Sequence, residues 1–270
     1  MDNNSAEFVG SIPDLYDRGL GPVIFADYAR AMAEFVALSA PRTVLETAAG
    51  TGIVTRALRD HLLAATKITA TDLNGPMLDI ATDKFAQGEV TLQVADAQAL
   101  PLGDTMFDAI VCQFGIMFYP DRPKSYREAL RVLRPGGRYF FSVWDAHRYN
   151  GFARVADAAI KEAFPVDPPG FYRVPFGCAA IDPIKQDLLD AGFTNIVVRV
   201  LPILKPVADL DLFARALIYG NPVIDQLKAR GSMAADTLVE RIAEHLRTEF
   251  GRSPTRIPLQ AIVYETDRPA

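Results

Sequence analysis

Three acidic residues, Glu46, Asp72 and Asp96, each close a short run of β-branched or apolar residues. The first is followed at once by the small-residue stretch Ala48-Ala49-Gly50-Thr51-Gly52. Small side chains at such a turn let the backbone approach a ligand closely, and the first free N–H groups of the next helix face that ligand. Asp72 lies twenty residues beyond Gly52, where a carboxylate can accept both hydroxyls of a ribose. Asp96-Ala97 closes a third run. Singly, each acid need only cap the following helix, and the glycines need only serve the turn. Three in order, beside Gly-Thr-Gly, point instead to a nucleotide crevice, which is binding and positioning chemistry.

What is missing narrows the nucleotide. A dinucleotide site favours Gly-x-Gly-x-x-Gly, and the third position here is Thr55. No tyrosine has a lysine four residues on, as a short-chain dehydrogenase would require, and no Gly-x-x-x-x-Gly-Lys-Ser/Thr occurs. The groups placed for acid–base work are His147, after the fifth strand, Tyr16 in the leading segment, and Tyr119 after the fourth strand. His61 and His245 fall on solvated helix faces. No metal-ligand spacing occurs, and no metal is expected.

The elements that must carry these residues follow from periodicity. From about Arg42, strands (TVLE, KITATD, VTLQVAD, FDAIVCQ, GRYFFSVW) alternate with helices over Thr51–Leu63, from Asn74 onward, and over Lys124–Leu133. The third helix is expected to stop before a turn at Pro135-Gly136-Gly137. Repeated strand–helix–strand units with short links make a parallel sheet with helices on both faces, an α/β fold. After Trp144 the rhythm breaks into an insertion rich in proline and aromatic residues. It resumes with a helix near Asp182–Ala191, a strand Thr194–Ile203, two or three helices over 208–250, and a last strand Pro258–Thr266. One domain spans 1–270: an N-terminal arm and helix (1–40, with the helix over Val23–Leu38), a crevice-bearing core (41–145), and lid insertions at 146–181 and 206–252.

Composition sets the outer limits. Of 270 residues, half are apolar and 23% charged, enough for a sizeable core. Twenty-eight basic residues against 33 acidic ones leave a net charge of −5, which argues against nucleic acid as partner. No apolar run approaches the length of a membrane span, and the polar, acidic start MDNNSAEF is unlike a signal peptide. With two cysteines in apolar surroundings, a cytoplasmic protein without membrane partners is expected. Nothing predicts a homo-oligomer.

On these residues the chain resembles the class I S-adenosylmethionine-dependent methyltransferases, and among them the small-molecule enzymes of the ubiquinone/menaquinone-biosynthesis type. The matching segments are ETAAGTG at 46–52, TDLN at 71–74 with Met77-Leu78, ADAQALP at 95–101, FDAIVCQFG at 107–115 and REALRVLRPGGRYFFSVW at 127–144. The resemblance implies a Rossmann-like, seven-stranded, mostly parallel sheet with an antiparallel final strand, the last hairpin being Thr194–Ile203 with Pro258–Thr266. It implies S-adenosylmethionine as cofactor, leaving as S-adenosylhomocysteine. Glu46 and the backbone of Ala48, Gly50, Thr51 and Gly52 would hold its methionine end. Asp72 would take the ribose, Leu73 and Met77 the adenine faces, and Asp96 and Ala97 the adenine edge. Gln113 would lie beside the sulfonium. Tyr16 stands where relatives fold a segment over the cofactor, and Ala48 replaces the family's first glycine.

Methyl transfer from a sulfonium needs chiefly alignment and exclusion of water, and a base only for a weakly acidic acceptor. The Pro-Pro-aromatic loop of enzymes that methylate amino groups of DNA or protein is absent; CQFGIMFYPD stands in its place. Met117, Phe118, Tyr119, Trp144 and the 145–181 insertion suggest an apolar, aromatic-lined cover over a small acceptor, apolar or aromatic, methylated by in-line displacement. The rival readings are a regulatory protein that binds the cofactor without turnover, and a nicotinamide-dependent oxidoreductase.

Overall fold

The computed structural model describes residues 6–231, 235–252 and 254–270. Seven strands form one sheet: β1 (Thr43–Thr47), β2 (Lys67–Asp72), β3 (Thr91–Val94), β4 (Phe107–Gln113), β5 (Leu133–Trp144), β6 (Thr194–Val207) and β7 (Thr255–Asp267), in the order β3-β2-β1-β4-β5-β7-β6. The pairs from β3 through to β5 are parallel, and β7 runs antiparallel to both β5 and β6. The seven-stranded sheet with a reversed final strand is therefore as expected. Its strand order reverses between β1 and β4, where an open sheet of this kind opens a crevice at its carboxyl edge.

The central strands are buried on both faces, because every second residue meets a different helical layer. On one face Val44, Ala109, Val111 and Phe140 pack with helices α2 (Ala26–Ala37) and α3 (Ile53–His61). On the other, Leu45, Ile110, Cys112 and Phe141 join the main core. Helix α1 (Ile12–Leu15) precedes α2, α4 (Gly75–Thr82) follows β2, and α5 (Arg122–Val132) follows β4. Asp121 caps α5 by accepting from the backbone N–H of Lys124 at 2.9 Å. Helices α6 (Gly151–Ala163) and α7 (Ile181–Ala191) lie between β5 and β6; α8 (Leu210–Tyr219), α9 (Val223–Arg230) and α10 (Ala235–Phe250) lie between β6 and β7. Because β5 and β6 run in the same direction, both insertions leave from the carboxyl edge of the sheet.

Two local expectations are corrected. The leading helix does not begin at Val23: helical structure starts at Ile12 and passes through a ten-residue π-type stretch, Tyr16–Phe25, before α2. Pro22 has no N–H to donate inside that stretch, and Gly19 packs so closely on α8 that a Cβ there would lie 2.3 Å from Ala216 Cβ. Nor does Pro135-Gly136-Gly137 form a free turn. These residues lie within β5, whose pairing with β4 shifts register between Phe107 and Ala109 while Gly136 takes φ +75°. The prolines of β6, Pro202 and Pro206, sit on an edge strand, where a missing donor costs little. No helix among the described residues is long and apolar enough to cross a membrane.

Candidate active site

The loop after β1 is shaped by three residues in the left-handed region, Ala48 (φ +54°), Gly50 (φ +57°) and Gly52 (φ +78°). Gly52 allows α3 and α4 to meet, since a Cβ there would lie 2.9 Å from Ala81 Cβ. Ala48 takes a conformation that costs a non-glycine residue roughly 1 kcal/mol. Its methyl is accommodated across the crevice, where an added Cβ on Gly115 would come within 2.5 Å of Ala48 Cβ and 2.7 Å of Cys112 Sγ. Alanine at 48 is thus matched by glycine at 115.

Asp72 is the electrostatic centre of the crevice. It is 7% exposed, its Oδ2 accepts from the Gly50 N–H at 2.8 Å, and its Oδ1 accepts from the Asn74 N–H at 2.8 Å and from Asn74 Nδ2 at 3.3 Å. Burial raises its pKa, and these donors oppose the rise. Asp96 lies two residues beyond the end of β3 and accepts from the Gln98 N–H at 2.8 Å. Both carboxylates line a cleft of about 720 Å³ together with Ala48, Gly50, Leu73, Met77, Ala97 and Gln113. Gln113 donates from Nε2 to the Phe25 carbonyl at 3.3 Å, while its Oε1 is buried without a partner.

Glu46, Thr51 and Gly52 do not line the cleft. Glu46 is 1% exposed and accepts from Thr55 Oγ1 at 2.6 Å. Burial pushes its pKa up to about 8, so near neutral pH it is largely a protonated acid behind the loop. Thr51 Oγ1 is buried there without a partner. Thr55, read from sequence only as a missing glycine, is the residue that satisfies Glu46. Its spacing nine residues from Glu46 gave no signal for that role.

A second cavity of about 460 Å³ adjoins the cleft and is walled in part by the two insertions, through Phe152, Phe176 and Leu217. Phe8, Tyr16, Phe114 and Phe118 line both spaces and so form the partition between them. Phe114, at φ +54°, stacks on Trp144 with ring centroids 4.0 Å apart and planes at 7°. A bulky residue held in that backbone region marks strain of the kind concentrated at ligand sites. Beyond the partition the inner cavity is walled by Phe25, Met117, Trp144, Phe152 and Phe176, with Tyr172 and Asn221 adding polar atoms.

The three acid–base candidates separate. Tyr16 stacks on Phe25 at 4.9 Å and faces both cavities. Tyr119 lines the cleft, with its hydroxyl 3.4 Å from Cys112 Sγ and 3.5 Å from Thr47 Oγ1. Burial raises both phenols far above their ordinary pKa. His147 lines neither cavity: it lies behind Phe176, ring centroids 4.8 Å apart, and burial lowers its pKa. Phe8, Asn74, Gln98 and Phe114 were not singled out by sequence reasoning. The arm and the partition become visible only when the chain is folded. Among the described residues no group of three His, Cys, Asp or Glu side chains could hold a metal ion.

The cleft suits an adenosyl sulfonium. Its lining has two acids and no lysine or arginine, together with an orphaned carbonyl oxygen on Gln113 able to accept from an ammonium group. Comparison with known proteins agrees. A methyltransferase-domain family matches residues 45–141. The ubiquinone/menaquinone biosynthesis C-methyltransferase of Cronobacter sakazakii is 31% identical over 173 residues, covering 57% of this chain and 66% of that protein. The chain spans between about half and just under two thirds of the length of such relatives. In fold it is similar to YcgJ of Bacillus subtilis, with a TM-score of 0.56 at 20% identity over 90% of this chain and 99% of the other. It is also similar to phosphoethanolamine N-methyltransferase 2 of Haemonchus contortus, solved with phosphomonomethylethanolamine and S-adenosylhomocysteine, with a TM-score of 0.59 at 17% identity over 97% and 61%. The matched segment carries the loop after β1, Asp72 and Asp96, so residues 45–141 form a methyltransferase domain, set in a sheet whose topology is similar to that of the class I S-adenosylmethionine-dependent methyltransferases.

Proposed function

We propose that this protein transfers a methyl group from S-adenosylmethionine to a small, neutral, ring-containing acceptor seated in the inner cavity. The observation that carries the reading is the shared aromatic partition between a cleft lined by acids and an inner cavity lined by no charged residue. A pyrophosphate would meet Asp72 and Asp96 with no cation to offset them, which disfavours a nicotinamide dinucleotide. In this reading Asp72 accepts from the ribose hydroxyls, Leu73 and Met77 cover the adenine, and Asp96 with the Ala97 backbone reads its edge. Gln113 and the backbone of Ala48 and Gly50 hold the amino-acid end.

When bound, S-adenosylmethionine supplies a methyl group on a positively charged sulfur. The chain's part is alignment and exclusion of water: Phe114 and Phe118 face both ligands, and Phe176 and Trp144 hold a flat acceptor against them. Tyr16, whose pKa burial raises, can donate a hydrogen bond inside the cavity and is a poor proton acceptor at neutral pH, whereas Tyr172 spends its hydroxyl proton on the Leu217 carbonyl at 2.6 Å. The acceptor class that fits is one already nucleophilic in its neutral form without a protein base, such as an arylamine or an electron-rich ring carbon. The buried free thiols Cys112 and Cys178 support a reducing compartment such as the cytoplasm.

The test is release of S-adenosylhomocysteine during incubation with S-adenosylmethionine and a panel of such acceptors. Turnover selective for neutral aromatic members is expected. Binding of S-adenosylmethionine with no turnover on any member would favour the regulatory reading.

A further inference from the structure

We infer that Asn74 is a latch coupling the cofactor cleft to the acceptor cavity. The inference rests on the reading that Asp72 takes the ribose. Asn74 follows β2 and enters α4, and its side chain works in two directions. Toward the N-terminal arm, its Oδ1 accepts from the Phe8 N–H at 3.3 Å and its Nδ2 donates to the Ala6 carbonyl at 3.1 Å, the paired pattern of a neighbouring strand. Toward the cleft, the same Nδ2 donates to Asp72 Oδ1 at 3.3 Å, alongside the Asn74 backbone N–H at 2.8 Å. One amide therefore holds both the arm and the carboxylate. A second tie, from Lys84 just after α4 to Asp17, holds the helical stretch that follows the arm.

The arm matters because Phe8 and Tyr16 belong to the partition. They lie edge to face with centroids 5.6 Å apart, and both wall the inner cavity as well as the cleft. Of the three donors on Asp72, the bond from Asn74 Nδ2 is the longest and the one an incoming hydroxyl displaces most easily. Released from the carboxylate, the amide serves the arm alone, so ligand binding in the cleft tightens Phe8 over it and completes the wall of the inner cavity. Linkage makes the effect reciprocal: a latched arm raises cofactor affinity. Cofactor and acceptor therefore bind with positive coupling.

The experiment uses the full chain, with S-adenosylhomocysteine as probe and two readouts: hydrogen exchange over residues 6–18, and acrylamide quenching of Trp144. Trp144 is the only tryptophan in the sequence and walls the inner cavity. In the unmodified protein the ligand slows exchange in the arm and reduces quenching several-fold. In Asn74→Ala it still binds, with Kd raised about tenfold, and both responses disappear. Asn74→Leu, which is close to the native shape, uncharged and lacks the amide donor, behaves alike and guards against a folding defect in the alanine variant. Ligand-induced protection that persists in either variant overturns the latch. So does complete loss of binding in a folded variant, which would show that Asn74 serves Asp72 and not the arm. Failure of the unmodified protein to bind the probe would instead remove the cofactor reading.

Discussion

Glu46 and Thr55 share a hydrogen bond of 2.6 Å across the start of α3, wholly out of contact with the ligand cleft. The pair binds the end of β1 to the first helix of the nucleotide crevice and fixes the loop between them. Threonine thus takes the place of a packing glycine and supplies a donor to a buried acid. Thr55→Val keeps the shape and removes that donor, leaving Glu46 unsatisfied; a loss of about 1–3 kcal/mol in chemical denaturation is expected.

The same acid gives the fold a pH signature. Its folded-state pKa of about 8 lies above the ordinary 4.5, so the folded protein binds a proton more tightly than the unfolded chain. The stabilisation is fully present below about pH 4.5 and is lost as pH rises toward 8. Glu46→Gln should flatten the fall in melting temperature over that window. An unchanged slope would mean that Glu46 is ionised in the folded state.

Ala48 and Gly115 form a compensating pair. Gly115→Ala drives a methyl into Ala48 and Cys112 and should cost about 1–3 kcal/mol. Adding Ala48→Gly removes one of the two clashes, so the double variant should be more stable than the sum of the single effects predicts. Strict additivity in denaturant melts would contradict the pairing.

The two cavities can be separated by substitution. Phe176 lines the inner cavity and not the cleft, so Phe176→Leu should raise acceptor KM several-fold and leave S-adenosylhomocysteine Kd within about twofold. Equal effects on both ligands would argue against separate subsites.

What the sequence revealed and what it concealed divide along physical lines. Glu46 and Asp72 lie at the ends of β1 and β2, Asp96 follows β3, and Pro76 and Gly192 mark helix ends, so periodicity and local backbone chemistry sufficed for the sheet and its crevice. The stack of Phe114 on Trp144 joins residues that are distant in sequence, and no local pattern carries such a contact. The arm was hidden for another reason: Gly19, Gly21 and Pro22 break the helical period, so the sequence up to Pro22 reads as a polar lead although Tyr16–Phe25 is helical. His147 was placed at the cavity mouth from its position after β5. The short turn His147–Tyr149 sets it behind Phe176 instead.

The most direct test of the account is titration of the protein and of Asp72→Asn with S-adenosylhomocysteine, with NADH as control, by calorimetry. The account predicts binding of the sulfur nucleotide alone. In the variant, loss of one or two charge-assisted hydrogen bonds, about 1.5–3 kcal/mol each, should weaken Kd at least tenfold. Binding of NADH in preference, or an S-adenosylhomocysteine affinity untouched by the substitution, would contradict it.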